Sequence, residues 1–133
     1  MSEFNLSHVV SAFLVCTNSV ISLWGLFIVA TFAAAGFGAS FGNGFDAGTA
    51  AMMTIGYLAF AIAHGMAIRA GLETQRVIAA EVRSRLAAAP DGFTDYPKSV
   101  ARILDTSTSL PVSLAVHLVI DACVVGVIWY RIV

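Results

Sequence analysis

The feature that most constrains this chain is the length of its uncharged stretches. No Asp, Glu, Lys or Arg lies between Glu3 and Asp46, a stretch of 42 residues, and 22 uncharged residues separate Asp46 from Arg69. Residues 106–130 contain a single charged residue, Asp121. A bilayer core about 30 Å thick is crossed by about 20 apolar residues in a helix. Each of the three stretches is therefore long enough to cross a membrane.

The amino-acid composition supports the same class of protein. Only 11% of the residues are charged and 59% are hydrophobic, whereas a soluble domain carries about 25% charged residues. The chain has too little charge for a soluble enzyme domain, a disordered chain or a nucleic-acid-binding module, so we expect the lipid bilayer, and no nucleic acid, as a partner. Cys16 and Cys123 both lie in uncharged stretches, where cysteine acts as a small hydrophobic residue.

We therefore predict an all-α integral membrane protein with three transmembrane helices in a single domain, residues 1–133. The predicted order is a first span over about 6–35, a glycine-rich outer loop over 36–46, a second span over about 47–70 with a helical extension over 71–89, a connector over 90–108 that includes a short helix at 98–104, and a third span over about 110–131. Clustered glycines predict the loop. Asp46 is the predicted N-cap of the second helix.

The second helix is predicted to leave the membrane and continue as an amphipathic helix. Leu72, Ile78, Val82 and Leu86 lie on one helical face, and no glycine or proline interrupts this segment. Six of the seven basic residues lie within residues 69–105. The positive-inside rule places this segment in the cytoplasm, with the N-terminus cytoplasmic and the C-terminus outside. We expect a bacterial inner membrane as the location.

The third span contains a polar face. Ser113, His117 and Asp121 are spaced four residues apart and therefore lie on one side of a helix. A carboxylate inside a membrane is costly and by default indicates a function or a buried partner. Three roles remain open for this face: an ion or proton relay, the polar lining of a pore, and a structural hydrogen bond to another helix.

His64 in the second span is the other candidate. Counted from the same membrane edge, His64 and His117 are expected to lie within several Å of each other in depth. If the two rings face each other, they are candidate axial ligands of a b-type haem. No cofactor is predicted by a motif, and haem b is kept as an alternative.

Small residues predict where helices pack closely in lipid. Ala30, Ala34 and Gly38 form one stripe of four-residue spacing. A second stripe is formed by Ala59, Ala63, Ala67 and Gly71. Each stripe fits packing within the three-helix unit or packing onto another chain, and the sequence leaves both open.

The chain lacks a phosphate-binding loop, a Gly-x-Ser-x-Gly elbow, a His-Glu-x-x-His motif and a Cys-x-x-Cys motif, and we predict no catalytic residues. The leading hypothesis is a small non-enzymatic subunit that assembles with copies of itself or with a larger membrane complex and takes part in ion, proton or small-solute movement, as in a channel or transporter. One alternative is a haem- or quinone-binding anchor of an electron-transfer complex. A purely structural membrane subunit is the other.

Overall fold

The computed structural model describes residues 3–40, 46–88, 104 and 109–130, with side chains from Ser7 onward. This part of the chain contains three α-helices: α1 (Glu3–Ser40), α2 (Ala47–Ala87) and α3 (Leu110–Trp129). Each helix packs against the other two. All three are long and apolar enough to cross a membrane. The predicted all-α membrane fold is confirmed.

The helices differ in length. The 38 residues of α1 and 41 residues of α2 extend over about 60 Å, whereas the 20 residues of α3 extend over about 30 Å, the thickness of one bilayer core. Hence α1 and α2 continue past one end of α3. We call this projecting part of the α1–α2 pair the extension, and we call the opposite end, where α1 ends and α2 begins, the loop end.

The extension is built by pairing the charged half of α2 with the first half of α1. Phe13 packs against Ala79 and Val82, and Val20 packs against Ile68 and Leu72. The predicted helical continuation of the second span is thus confirmed, and its apolar stripe is covered by α1. Exposed ion pairs such as Arg85 with Glu81 lie on the outer surface of α2.

The buried positions follow the spacing of a helical bundle with a seven-residue repeat. In α2 successive buried residues are three, four or seven positions apart: Ala50, Tyr57, Ala61, His64, Ile68, Leu72, Gln75, Ala79 and Val82. In α1 the buried hydrophobic residues are seven positions apart: Phe13, Val20 and Phe27. Helices with this period keep one seam turned toward their neighbours. The remaining surface is apolar over much of its area and includes exposed Phe32 and Leu118.

The helix boundaries differ from the prediction mainly at the loop end. α1 continues to Ser40, so the prediction that a loop begins at residue 36 is wrong: Gly36 and Gly38 are helical. Gly38 lies against α3, where a β-carbon built on it would be 3.3 Å from Ile128 Cγ1. Close packing against α3 therefore favours the helical conformation at Gly38, whereas a β-carbon on Gly36 would meet nothing within 4 Å. Asp46 caps α2 as predicted, because its Oδ1 accepts a hydrogen bond from the Thr49 amide at 2.6 Å.

The predicted connector 90–108, with its short helix at 98–104, lies outside the described residues except for Leu104. Leu104 is buried against Phe13, Ala79 and Val82 of the extension. Its carbonyl accepts a hydrogen bond from Arg83 Nη2 at 3.3 Å. Leu104 therefore lies against the extension.

Candidate functional site: a polar network inside the helix bundle

The polar face of α3 is turned into the bundle. Ser113, His117 and Asp121 are 2%, 4% and 8% exposed, as expected for three residues on one helical face at a buried seam. His117 Nδ1 lies 2.7 Å from Asp121 Oδ2. The two side chains, one helical turn apart, therefore form a direct hydrogen bond.

His64 brings α2 and α1 into the same network. Its Nδ1 lies 3.3 Å from His117 Nε2, and its Nε2 lies 2.9 Å from the carbonyl oxygen of Leu23. The two histidine rings contact each other through these nitrogens, with their centroids 5.6 Å apart and their planes inclined by 21°. Both ring nitrogens of both histidines consequently have a hydrogen-bonding partner.

Tyr57 provides a hydrogen bond to the other oxygen of the Asp121 carboxyl group. Its hydroxyl donates to Asp121 Oδ1 at 2.8 Å, and Thr31 Oγ1 lies 3.4 Å from the same hydroxyl. The hydrogen bonds thus run without interruption through Leu23, His64, His117, Asp121, Tyr57 and Thr31. We call these six residues the polar network, and all three helices contribute to it.

Aromatic rings enclose the two histidines. Phe27, which is fully buried, stacks on His117 with ring centroids 3.9 Å apart and on His64 at 5.3 Å. Phe60 stacks on the His64 ring at 5.4 Å, and Trp24 meets His117 edge to face at 6.1 Å. The two histidines therefore lie against aromatic ring faces and edges, and the faces of aromatic rings attract cations.

The polar network lies near the middle of the spanning part of the bundle. His117 is seven residues after the start of α3 and Asp121 is eight residues before its end, which places them about 10 and 12 Å from the two ends. Apolar clusters close both sides. One cluster, at the extension side, contains Val20, Ile68 and Leu72. The other, at the loop end, contains Ala50, Ala61, Val124 and Ile128.

Ser113 is the member of the predicted polar face that does not join the network. Its hydroxyl oxygen is buried and has no hydrogen-bond partner among the residues that the structure describes. It lies one helical turn from His117, on the side of the extension. Ser113 therefore leaves a buried polar atom next to the network, where a hydroxyl is costly to bury.

The two predicted small-residue stripes behave differently. In the first, Ala30 and Ala34 are half-buried and Gly38 contacts α3. In the second, three alanines are exposed, namely Ala59, Ala63 and Ala67, and Gly71 approaches Val20 of α1. The first stripe thus packs within the chain, while most of the second faces outward.

The histidine geometry does not fit a haem held between the two rings. A metal–imidazole bond is about 2.0 Å long, so axial nitrogens on opposite sides of one iron are about 4 Å apart, with the porphyrin between them. Here the facing nitrogens are 3.3 Å apart and in direct contact. Among the described residues, no group of three or more His, Cys, Asp and Glu gathers in a metal-binding arrangement.

Sequence reasoning missed Tyr57, Phe27 and the Leu23 carbonyl. One available signal was spacing, because Tyr57 lies seven residues before His64 and hence on the same face of α2. Phe27 continues the seven-residue series of Phe13 and Val20 in α1. The Leu23 carbonyl has no signal in the sequence, because every residue carries one.

Comparison of the chain with protein-family models, with curated proteins and with solved structures gives no match. The polar network is therefore the feature of this chain that bears on its function.

Proposed function

We propose that this protein is a non-enzymatic membrane subunit that binds and passes ions or protons at the polar network. The uninterrupted hydrogen-bonded series from Leu23 to Thr31, buried halfway along the spanning part of three helices, is the observation that carries the proposal. Intramembrane ionisable groups mark ion and proton pathways in many membrane proteins. His64, His117 and Asp121 are the proposed binding residues, and Ser113 extends the polar face toward the extension.

The apolar clusters on both sides of the network support a closed binding site rather than an open pore. Val20, Ile68 and Leu72 close one side, and Ala50, Val124 and Ile128 close the other. An ion reaches such a site only when the helices separate locally. The proposed mechanism is therefore alternating access to a buried site, driven by small movements of α3 against the α1–α2 pair.

Assembly with further copies is part of the proposal. The outward alanines Ala59, Ala63 and Ala67 form a small-residue stripe of the kind that lets two membrane helices approach closely. We propose that this stripe packs against another copy or a larger membrane partner. Native mass determination in detergent tests this, and a single-copy mass for the purified protein argues for a larger partner instead.

The orientation and location remain as proposed from the charges. The extension carries the basic residues Arg76, Arg83 and Arg85, so we propose that it lies on the cytoplasmic side of a bacterial inner membrane. The N-terminus is then cytoplasmic and the C-terminus outside. Reporter fusions at the two termini test this assignment.

The function is tested in lipid vesicles that contain a pH-sensitive dye and carry an imposed membrane potential. Wild-type protein is expected to pass protons or the added ion, and Asp121→Asn is expected to reduce the flux to that of empty vesicles. Asp46→Asn is the matched control, because this exposed carboxyl lies at the loop end, outside the network. Equal flux for wild type and Asp121→Asn contradicts the proposal.

Two alternatives give different results. A structural subunit produces no flux in any variant, while Asp121→Asn weakens assembly. A haem-binding anchor gives a Soret band that is lost in His64→Ala or His117→Ala; the contact between the two rings does not favour this alternative, since the bundle must open to admit a haem.

A further inference from the structure

We propose that the ion bound by the polar network is one proton, shared among His64, His117 and Asp121 in a site of zero net charge. This inference rests on the proposed function and names the ligand of the same site. It is carried by the hydrogen-bond geometry, because each contact in the network requires a hydrogen atom at a definable place.

The first proton lies at the α1 end of the network. A backbone carbonyl is only an acceptor, so the contact between His64 Nε2 and the Leu23 oxygen requires a proton on His64 Nε2. The contact between His64 Nδ1 and His117 Nε2 requires one proton between the two nitrogens. The contact between His117 Nδ1 and Asp121 Oδ2 requires a third.

Three protons on these side chains are one more than the ordinary neutral-pH complement. Two neutral imidazoles carry one proton each and a carboxylate carries none. The additional proton compensates the carboxylate charge, and the three groups together are neutral. It has three possible placements: on Asp121, where all three groups are neutral, or on His117 or His64, where an imidazolium is paired with the carboxylate. Each placement keeps every hydrogen bond, so the proton passes along the network by short shifts between neighbouring atoms.

Other proton counts do not fit the contacts. With one proton fewer, two acceptors face each other at one of the three contacts and the buried site carries a negative charge. With one proton more, two donors face each other between the histidines or between His117 and Asp121, and the site carries a positive charge. Burial of an uncompensated charge in an apolar interior is strongly unfavourable, so both states favour separation of the helices.

The groups around the site do not alter this count. From α1 the network meets Trp24, Phe27 and Thr31, and from α2 it meets Phe60 and Tyr57, whose hydroxyl already donates to Asp121. From α3, Ser113 lies one turn away. The nearest charged residue along α2 is Arg69, which is exposed and paired with Glu73.

Phe27 provides independent support for a charged placement of the proton. Its ring lies face to face with His117 at 3.9 Å, well within the distance at which an aromatic face stabilises a cation. The same ring also covers His64. A proton on either histidine therefore lies beneath an aromatic face.

The experiment uses nitrogen-15 histidine spectra and infrared spectra of the full-length protein in lipid bilayers at about pH 7.5, where an ordinary histidine is largely neutral. His8→Asn removes the third histidine of the chain, so four ring nitrogens remain, from His64 and His117. We expect either one unprotonated ring nitrogen, or two together with the C=O band of a protonated carboxyl group that Asp121→Asn removes.

Asp121→Asn is also a test of the count. Its amide is able to donate to His117 Nδ1 and to accept from Tyr57, which reproduces the placement of the proton on Asp121 without any titratable proton. This variant is therefore expected to keep the assembly and to show two unprotonated ring nitrogens. Three or more protonated ring nitrogens in Asp121→Asn contradict the count.

Several results overturn the inference. Two unprotonated ring nitrogens in wild type without a protonated carboxyl band show that the additional proton is absent. Spectra that change when a metal chelator is added show a metal ion between the rings instead. The vesicle assay separates this inference from the proposed function: a detected proton without flux overturns only the function, and flux without the proton overturns only the inference.

Discussion

The hydroxyl of Tyr57 donates to Asp121 Oδ1 at 2.8 Å, while His117 Nδ1 lies 2.7 Å from the other oxygen of the same carboxyl group. Tyr57 comes from α2 and His117 from α3. Both oxygens of a carboxyl group buried in an apolar interior are thus hydrogen-bonded, which offsets much of the cost of burying it. The contact also links α2 to α3 at a second point, beside the histidine pair.

Removal of this donor by Tyr57→Phe is expected to lower the free energy of unfolding in detergent by about 1–2 kcal/mol, because Asp121 Oδ1 loses its hydrogen bond. The matched control is Tyr130→Phe, the same chemical change at a residue that is 82% exposed. The control is expected to change stability by less than about 0.5 kcal/mol. Equal effects of the two substitutions contradict the proposed role of Tyr57.

Close packing of α1 against α2 is tested at Gly71. A β-carbon on Gly71 would be 2.9 Å from Val20 Cγ2, and valine in a helix has little freedom to rotate away. We expect Gly71→Ala to reduce the free energy of unfolding by about 1–3 kcal/mol. Gly25→Ala is the control, because a β-carbon there meets nothing within 4 Å. If both variants are equally stable, the two helices are farther apart at Gly71 than described.

Substitution of Ser113 separates stability from function. Its buried hydroxyl has no partner in the described part of the chain, so Ser113→Ala is expected to leave the free energy of unfolding unchanged or to raise it by about 1 kcal/mol. Thr17→Val is the comparison. The Thr17 hydroxyl donates to the Phe13 carbonyl and accepts from Gln75. Loss of this hydroxyl in Thr17→Val is therefore expected to lower the free energy of unfolding by about 1 kcal/mol.

The same Ser113→Ala protein then enters the vesicle assay. A reduced flux at unchanged stability is expected if Ser113 extends the path beyond His117. A clear loss of stability in Ser113→Ala indicates instead that its hydroxyl has a hydrogen-bond partner.

The N-cap of α2 predicts a pH dependence. The hydrogen bond from the Thr49 amide lowers the pKa of the Asp46 carboxyl below its ordinary value. The ionised form is therefore favoured in the folded state, and its stabilising contribution is complete above the ordinary aspartate pKa and is lost as the pH falls through the lowered pKa. Protection of the Thr49 amide from hydrogen exchange, corrected for the intrinsic rate, is expected to fall in strongly acidic solution.

Two variants at this position serve as controls. Asp46→Asn retains an oxygen that accepts from the Thr49 amide, so protection should not depend on pH in this range. Asp46→Ala removes the cap, and protection should be low at every pH. A pH dependence that persists in Asp46→Asn assigns the titration to another group.

Much of the architecture was predictable because it depends on local properties of the chain. Uncharged length predicted three helices long enough to span a membrane, and apolar periodicity predicted that the second one continues as a helix beyond its uncharged stretch. The end of α1 was predicted five residues too early. Glycines at 36 and 38 usually favour a turn, but contact between Gly38 and Ile128 of α3 outweighs this preference, and such a contact between distant residues is invisible in sequence.

The candidate site was predictable only in part. The four-residue spacing of Ser113, His117 and Asp121 placed them on one face, and the cost of a buried carboxylate made that face a candidate. Whether His64 faced His117 stayed open, because a sequence does not determine how far each helix is rotated about its axis. The same rotation decides which small-residue stripe packs inward.

By itself, therefore, the sequence determined that the protein has three membrane-type helices and that one of them contains a carboxyl group that is costly to bury. Hydrophobicity, helical period and charge are properties of each segment and need no tertiary structure. Only the tertiary structure decided that Asp121 is paired with Tyr57 and His117, and that His64 joins the network to the Leu23 carbonyl. The physical reason is that hydrogen bonds across helices depend on register and rotation. Register and rotation are set by packing between residues far apart along the chain: His64 and His117 are 53 positions apart, and Tyr57 and Asp121 are 64 positions apart.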